Sequence, residues 1–161
     1  MLILFCATVV SLLPKAGATQ DFGQLNDSTF VEKMERAEEL ASEKVMSLLV
    51  TIGSKHCAIS NIIAEEMHAP AFNAFLDSFF VVVQVGIFDT MGHCTVSDSI
   101  LQEYGLSRAL ISNTGIPVLV TYSTAKCMES LHNTDYICRV VNDTLVVHTD
   151  QIKKVLRPYC W

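Results

Sequence analysis

The run Phe79-Phe-Val-Val-Val-Gln-Val-Gly-Ile-Phe88 narrows the folds open to this 161-residue chain more than any other segment. It is too short for a membrane-spanning helix, which needs about 20 apolar residues. Its five β-branched residues lose side-chain freedom in a helix and pack well on a pleated surface, so it reads as a strand. It is apolar on both faces, which marks a strand covered from both sides rather than one with a wet face. Two further runs have the same texture. Val45-Met-Ser-Leu-Leu-Val-Thr-Ile52 stops at Gly53, and Ile116-Pro117-Val-Leu-Val-Thr-Tyr122 has proline at a first position, where a strand tolerates it.

Between these runs the apolar spacing turns helical. Thr29 with Glu32 reads as a capping box, followed by Phe30, Met34, Ala37 and Ala41 on one face. Residues Cys57 to Met67 place Ile59, Ile62, Ile63 and Met67 on a face, and Pro70 can open the next helix as its first residue. A short helix over Asp98–Tyr104 ends at Gly105, while Leu106–Gly115 shows no decisive period. Tyr136–Val141 and Thr144–His148 flank Asn142-Asp143 as a hairpin, and Asp150–Leu156 closes the chain as a helix. Buried strands joined by helices imply an α/β protein with a central mixed sheet flanked by helices. No repeat or linker divides the chain.

Met1–Leu13 is almost wholly apolar and is followed by Ala16-Gly17-Ala18, the pattern of a signal peptide (1–18) cut after Ala18, leaving one domain over 19–161. The net charge of −6 and the lack of a basic run argue against a nucleic-acid partner. No other segment is long enough for a membrane span. In an oxidising compartment most cysteines pair, yet removal of Cys6 leaves an odd set: Cys57, Cys94, Cys127, Cys138 and Cys160. With Cys57 set aside, the other four are disulfide candidates whose connectivity spacing does not define. Asn26-Asp-Ser28 and Asn142-Asp-Thr144 are glycosylation sequons consistent with export.

Cys57 follows a buried strand and begins a helix, facing unpaired N–H groups and the positive end of the helix dipole. Lys55 and His56 precede it. These features favour the thiolate, the nucleophilic form. On this chemistry alone Cys57 fits a reactive thiol or an ordinary half-cystine equally. His93-Cys94 lacks a second pair of ligands for a metal, and no cofactor is expected. Gly105-Leu-Ser107-Arg-Ala109 approaches a nucleophile elbow but ends in alanine with no strand before it, and reads as a loop.

The order of strand, Gly53-Ser-Lys-His-Cys57-Ala-Ile-Ser60, helix, strand, and Gly115-Ile-Pro117 opening a strand resembles the thioredoxin-like superfamily, especially its exported branch, over about residues 41–156. The resemblance implies a thioredoxin-like α/β fold with Cys57 as the attacking cysteine. It places Ser60 where the resolving cysteine stands, His56 at the usual tryptophan and Thr51 where many members bury an acid. It makes Pro117 the proline that follows a cis peptide, with the Ile116 backbone free to hold a bound peptide. A second register would put Ser54 at the attacking position and Cys57 at the resolving one; the small pair Gly53-Ser54 favours the first.

A serine cannot attack a mixed disulfide, so the resemblance implies monothiol chemistry. Cys57 would act by thiol–disulfide exchange on exported proteins with thiols or disulfides, with glutathione as a candidate second thiol. The last residues, Arg157-Pro-Tyr-Cys-Trp161, lack the terminal retention signal of similar Cys-x-x-Ser proteins, so secretion is expected ahead of the endoplasmic reticulum lumen or a bacterial periplasm. The alternative is a redox-inert binding module using the groove near Ile116-Pro117.

Overall fold

A computed structural model describes residues 22–122, 128–133, 138–141 and 144–160, with residues 128–130, 133, 138–141, 144 and 145 described at the backbone only. The order is α1 (Asp27–Lys44), β1 (Ser47–Gly53), α2 (Ala58–His68), α3 (Pro70–Phe79), β2 (Phe80–Gly86), α4 (Asp98–Glu103), α5 (Arg108–Thr114), β3 (Val118–Tyr122), β4 (Met128–Asn133), β5 (Cys138–Val141), β6 (Thr144–Val147) and α6 (Thr149–Leu156). One sheet holds four strands in the order β2-β1-β3-β4, while β5 and β6 form a separate antiparallel pair. β1 runs parallel to β2 and antiparallel to β3, and β3 is antiparallel to β4, so the main sheet is mixed, as the strand texture implies.

β1 is buried at all seven positions because both sheet faces are covered. On one face Leu48, Val50 and Ile52 meet Phe30, Met34, Ala37 and Ala41 of α1 together with Leu101 and Ile111. On the other, Leu49 packs with Ile63 and Met67 of α2, Phe72 and Leu76 of α3, and Ile152 and Leu156 of α6. Phe30 meets Tyr104 edge-on at 5.4 Å between ring centres, and the Tyr122 hydroxyl donates to the Tyr104 carbonyl at 3.0 Å. Burial raises the Tyr122 pKa well above its usual range.

Several boundaries differ from the sequence reading. The first helix starts at Asp27 with Asn26 as its cap: the Asn26 side chain accepts from the Thr29 N–H, and Thr29 Oγ1 accepts from the Asn26 N–H, both at 3.0 Å. Thr29 is therefore the reciprocal partner in the box rather than the cap. Val45 does not begin the strand. It closes α1 in the left-handed conformation (φ 54°), and β1 starts at Ser47. Residues 108–114, unassigned by pattern, form α5, capped by Ser107 Oγ accepting from the Leu110 N–H at 3.1 Å; this is the serine of the elbow-like motif. β4 is an additional strand. Residues 1–21 and the hairpin turn at 142–143 lie outside the described residues. No helix among the described residues is long and apolar enough to cross a membrane.

Phe22 and Gly23 pass directly over Gly86, where Gln24 makes a parallel bridge and the Leu25 N–H donates to the Gly86 carbonyl at 2.8 Å. A Cβ at Gly86 would overlap the Phe22 carbonyl, a backbone group that cannot swing aside. Gly86→Ala is expected to cost about 1–3 kcal/mol in urea denaturation, as overpacking does.

Burial lowers the pKa of His132 on β4, whose ring lies 6.2 Å from the Tyr159 ring. A depressed histidine binds its proton more weakly folded than unfolded, so its contribution is complete at neutral pH and is lost as pH falls through the unfolded value of about 6.5 toward the folded one. Chemical denaturation at pH 7 and pH 5 should show the native chain losing more stability than His132→Phe.

Candidate functional site

The chain leaves β1 at Gly53 and turns within four residues into α2. Ser54 builds this turn. It is buried; its carbonyl accepts from the Cys57 N–H at 3.0 Å and its Oγ from the His56 N–H at 3.2 Å. Its own N–H donates to Ser60 Oγ at 3.3 Å. The Asn61 amide adds an outer tie, donating to the Lys55 carbonyl at 3.0 Å. Lys55 and His56 are thereby exposed, and Cys57 occupies the N-cap of α2. Of the two registers, the structure gives the helix-start position to Cys57 and the buried turn to Ser54.

Cys57 is half-buried, and its Sγ points to the Ile116 carbonyl at 4.0 Å, the long end of the range for a thiol donor. The Ile116–Pro117 peptide bond is cis. Ile116 is half-buried and Pro117 is buried at the start of β3. Cys57, His56 and Ile116 therefore meet around one open groove of about 430 Å³, which Ser54, Phe88, Asp89, Ile111 and Ser112 also line. Pro117 is buried and does not line the groove.

Ser60 stands in the first turn of α2. One turn after Cys57, its side chain faces the sheet, is 0% exposed, and packs within reach of Gly53. Its hydrogen bond goes to the Ser54 backbone and not to Cys57, because α2 turns that face inward. Thr51 is likewise fully buried and hydrogen-bonds the Met67 sulfur at 3.6 Å, so no carboxylate stands at this position.

The far wall of the groove was legible only as a loop. Asp89 Oδ1 accepts from the N–H groups of Met91 and His93, both at 2.8 Å, and Oδ2 lies 3.3 Å from the His93 ring. The His93 backbone bond above all, aided by the Met91 N–H and the His93 ring, holds the Asp89 carboxyl below its usual pKa range. Gly92, at φ 80°, closes the turn, and Phe88 bridges Cys94 across it. Asp followed by glycine three residues later is a turn signal, but nothing in it says which site the turn borders.

Cys94 and Cys160 are half-buried thiols in the structure, with Sγ atoms directed to the carbonyls of Val96 (3.3 Å) and Leu156 (3.6 Å). Burial raises the Cys160 pKa. Cys127 and the side chain of Cys138 lie outside the described residues, so the four-cysteine pairing is not reached. Asn26 is exposed with its Oδ1 engaged as the helix cap, and Asn142 lies outside the described residues. Among the described residues no group of three His, Cys, Asp or Glu side chains is gathered for a metal.

No protein-family model matches the chain, and no curated protein matches it in sequence. A solved structure does: the disulphide isomerase from Xylella fastidiosa Temecula1, with a TM-score of 0.52 and 16% identity, over 63% of this chain and 71% of that one. The fold is thioredoxin-like. The mixed sheet, the cysteine at the start of α2 and the cis proline opening β3 occupy the places that the sequence resemblance implies.

Because Ser54 alone offers acceptors to both His56 and Cys57, removing its hydroxyl should loosen the turn before it harms the core. Ser54→Ala is expected to lower stability by about 1 kcal/mol in urea and to speed amide exchange at His56 selectively.

Proposed function

We propose that this chain is an exported monothiol thioredoxin-like protein that exchanges or captures disulfides of other exported proteins through Cys57. The observation that carries the reading is the placing of Cys57: at a helix start, half-exposed, directed at the Ile116 carbonyl and opening onto a groove. The Cys57 thiolate attacks one sulfur of a partner disulfide, forms the mixed disulfide, and expels the other sulfur as a thiolate. Release needs a second thiol from outside, since Ser60 carries no sulfur and is turned to the Ser54 backbone. Glutathione is a candidate for that thiol. The apolar leader and the sequons support export.

The redox-inert reading has one observation in its favour. Ser60 and Thr51 are both engaged within the core, so the groove works equally well as a passive peptide cleft with Ile116 at its edge.

Incubation with a disulfide-bonded substrate, followed by non-reducing electrophoresis, separates the two. The native chain should accumulate a mixed disulfide and turn over only when glutathione is added. Cys57→Ala should abolish both adduct and turnover. Ser60→Cys should allow turnover without added thiol. Native protein that forms no adduct while still binding unfolded peptide would replace the exchange reading with the binding module.

A further inference from the structure

The groove beside Cys57 holds a single formal charge. Among the described residues that line it, Asp89 is the one acidic side chain, and none is a lysine or arginine. Phe88, Ile111 and Ile116 make its walls apolar, and serine and threonine hydroxyls supply most of the rest. Lys55, next to the Cys57 turn, is exposed and stands outside the groove. The Met91 and His93 amides hold Asp89 Oδ1 in place on the wall that faces Cys57. These amides are dipoles, so they fix the carboxylate without cancelling its charge. The His93 ring beside Oδ2 is largely exposed and does not line the groove. A charge in a partly enclosed cleft acts through less water than one on an open surface.

We propose that Asp89 sets the substrate class of this groove: disulfides with a cationic group close to the sulfur, as where lysine or arginine adjoins a half-cystine, react in preference to neutral ones, and anionic disulfides react least. This deepens the exchange reading and rests on it. The Cys57 thiolate bonds to the near sulfur of the substrate, the substrate's S–S bond breaks, and the far sulfur leaves as a thiolate. During attack, negative charge is spread over all three sulfurs. The Asp89 carboxylate opposes that build-up for a neutral substrate. A cation carried by the substrate offsets the opposition, and an anion adds to it. The groove, at about 430 Å³, is small enough to keep a charge within a few bonds of the attacked sulfur close to Asp89. Phe88, Ile111 and Ile116 offer no counter-charge that could weaken the effect.

Three small disulfides test this at neutral pH and low salt: cystamine (cationic), hydroxyethyl disulfide (neutral) and dithiodipropionate (anionic). Mass analysis of the peptide containing Cys57 gives each rate of adduct formation, with Cys57→Ala as the blank. The neutral compound is the reference, so a change in the thiolate fraction of Cys57 cancels. Asp89→Asn keeps the Oδ1 acceptor and removes the charge. It should lower the cystamine-to-neutral ratio about fivefold and raise the dithiodipropionate-to-neutral ratio about as much, as one charge at the groove's span gives near a protein surface. Glu43→Gln removes the same charge from the last turn of α1, at the other end of β1 from the Cys57 turn, and should move neither ratio. Ser112→Lys leaves the Asp89 loop untouched and adds a cation at an exposed position of α5 that lines the groove; it should shift both ratios as Asp89→Asn does. It therefore decides the matter if Asp89→Asn fails to fold. Ratios unmoved by folded Asp89→Asn, or by Ser112→Lys, would overturn the preference and leave exchange standing. An equal shift in Glu43→Gln would assign the preference to the chain's net charge of −6 and overturn it as well. Absence of any adduct on Cys57 with all three compounds would overturn the exchange reading itself, and the preference with it.

Discussion

Burial of β1 on both faces is the constraint from which the rest follows. A strand with no wet side must be hydrogen-bonded along both edges and covered above and below. β2 and β3 supply the edges, and α1 and α2 with α3 supply the covers. The sheet can continue no further at Gly53, where the Phe22 ring and Ser60 crowd the backbone. The chain therefore has to turn at once, and Ser54 satisfies the backbone groups exposed by that turn. Lys55 and His56 come to the surface past that buried stop, and Cys57 follows them half-buried at the start of α2.

The two walls of the groove are built differently. The wall that holds Cys57 is fixed by short-range bonds within residues 54–61. The wall of Asp89 to Gly92 is fixed by a carboxylate gathering the amides of its own loop. Ile116 stands between them on the segment that leads into β3, and the cysteine thiol spans the gap to it. The site is thus assembled from three chain segments.

How much of this was legible in the sequence depended on how local the determinant was. β1, β2 and β3 are runs of buried apolar residues, and α3 opens on Pro70, so their existence could be read directly. The start of α1 was misplaced by three residues because Asn26 and Thr29 both cap well, and only the backbone geometry decides between them. β4 escaped because Met128-Glu-Ser-Leu-His-Asn133 has neither period, and its pairing with β3 is a long-range choice. At the site, Cys57 and Ile116-Pro117 were readable through their order along the chain. The inward turn of Ser60 and the Asp89 wall were not, since each depends on which way a side chain faces once the sheet is formed.

Val45 shows what governs the junction before β1. It is a β-branched residue, 78% exposed, held at φ 54°. The left-handed region is unfavourable for such a side chain by roughly 1–2 kcal/mol, and its exposure gives little burial in return. Its conformation follows instead from its neighbours: the Met46 N–H closes back on the Ala41 carbonyl at 2.9 Å while Ser47 is already registered against Phe80. The last turn of α1 and the first residue of β1 thus hold each other under tension, like two ends of a drawn clasp. When the sheet loosens, this junction has a local incentive to relax, so the helix end should fray together with the strand and not before it.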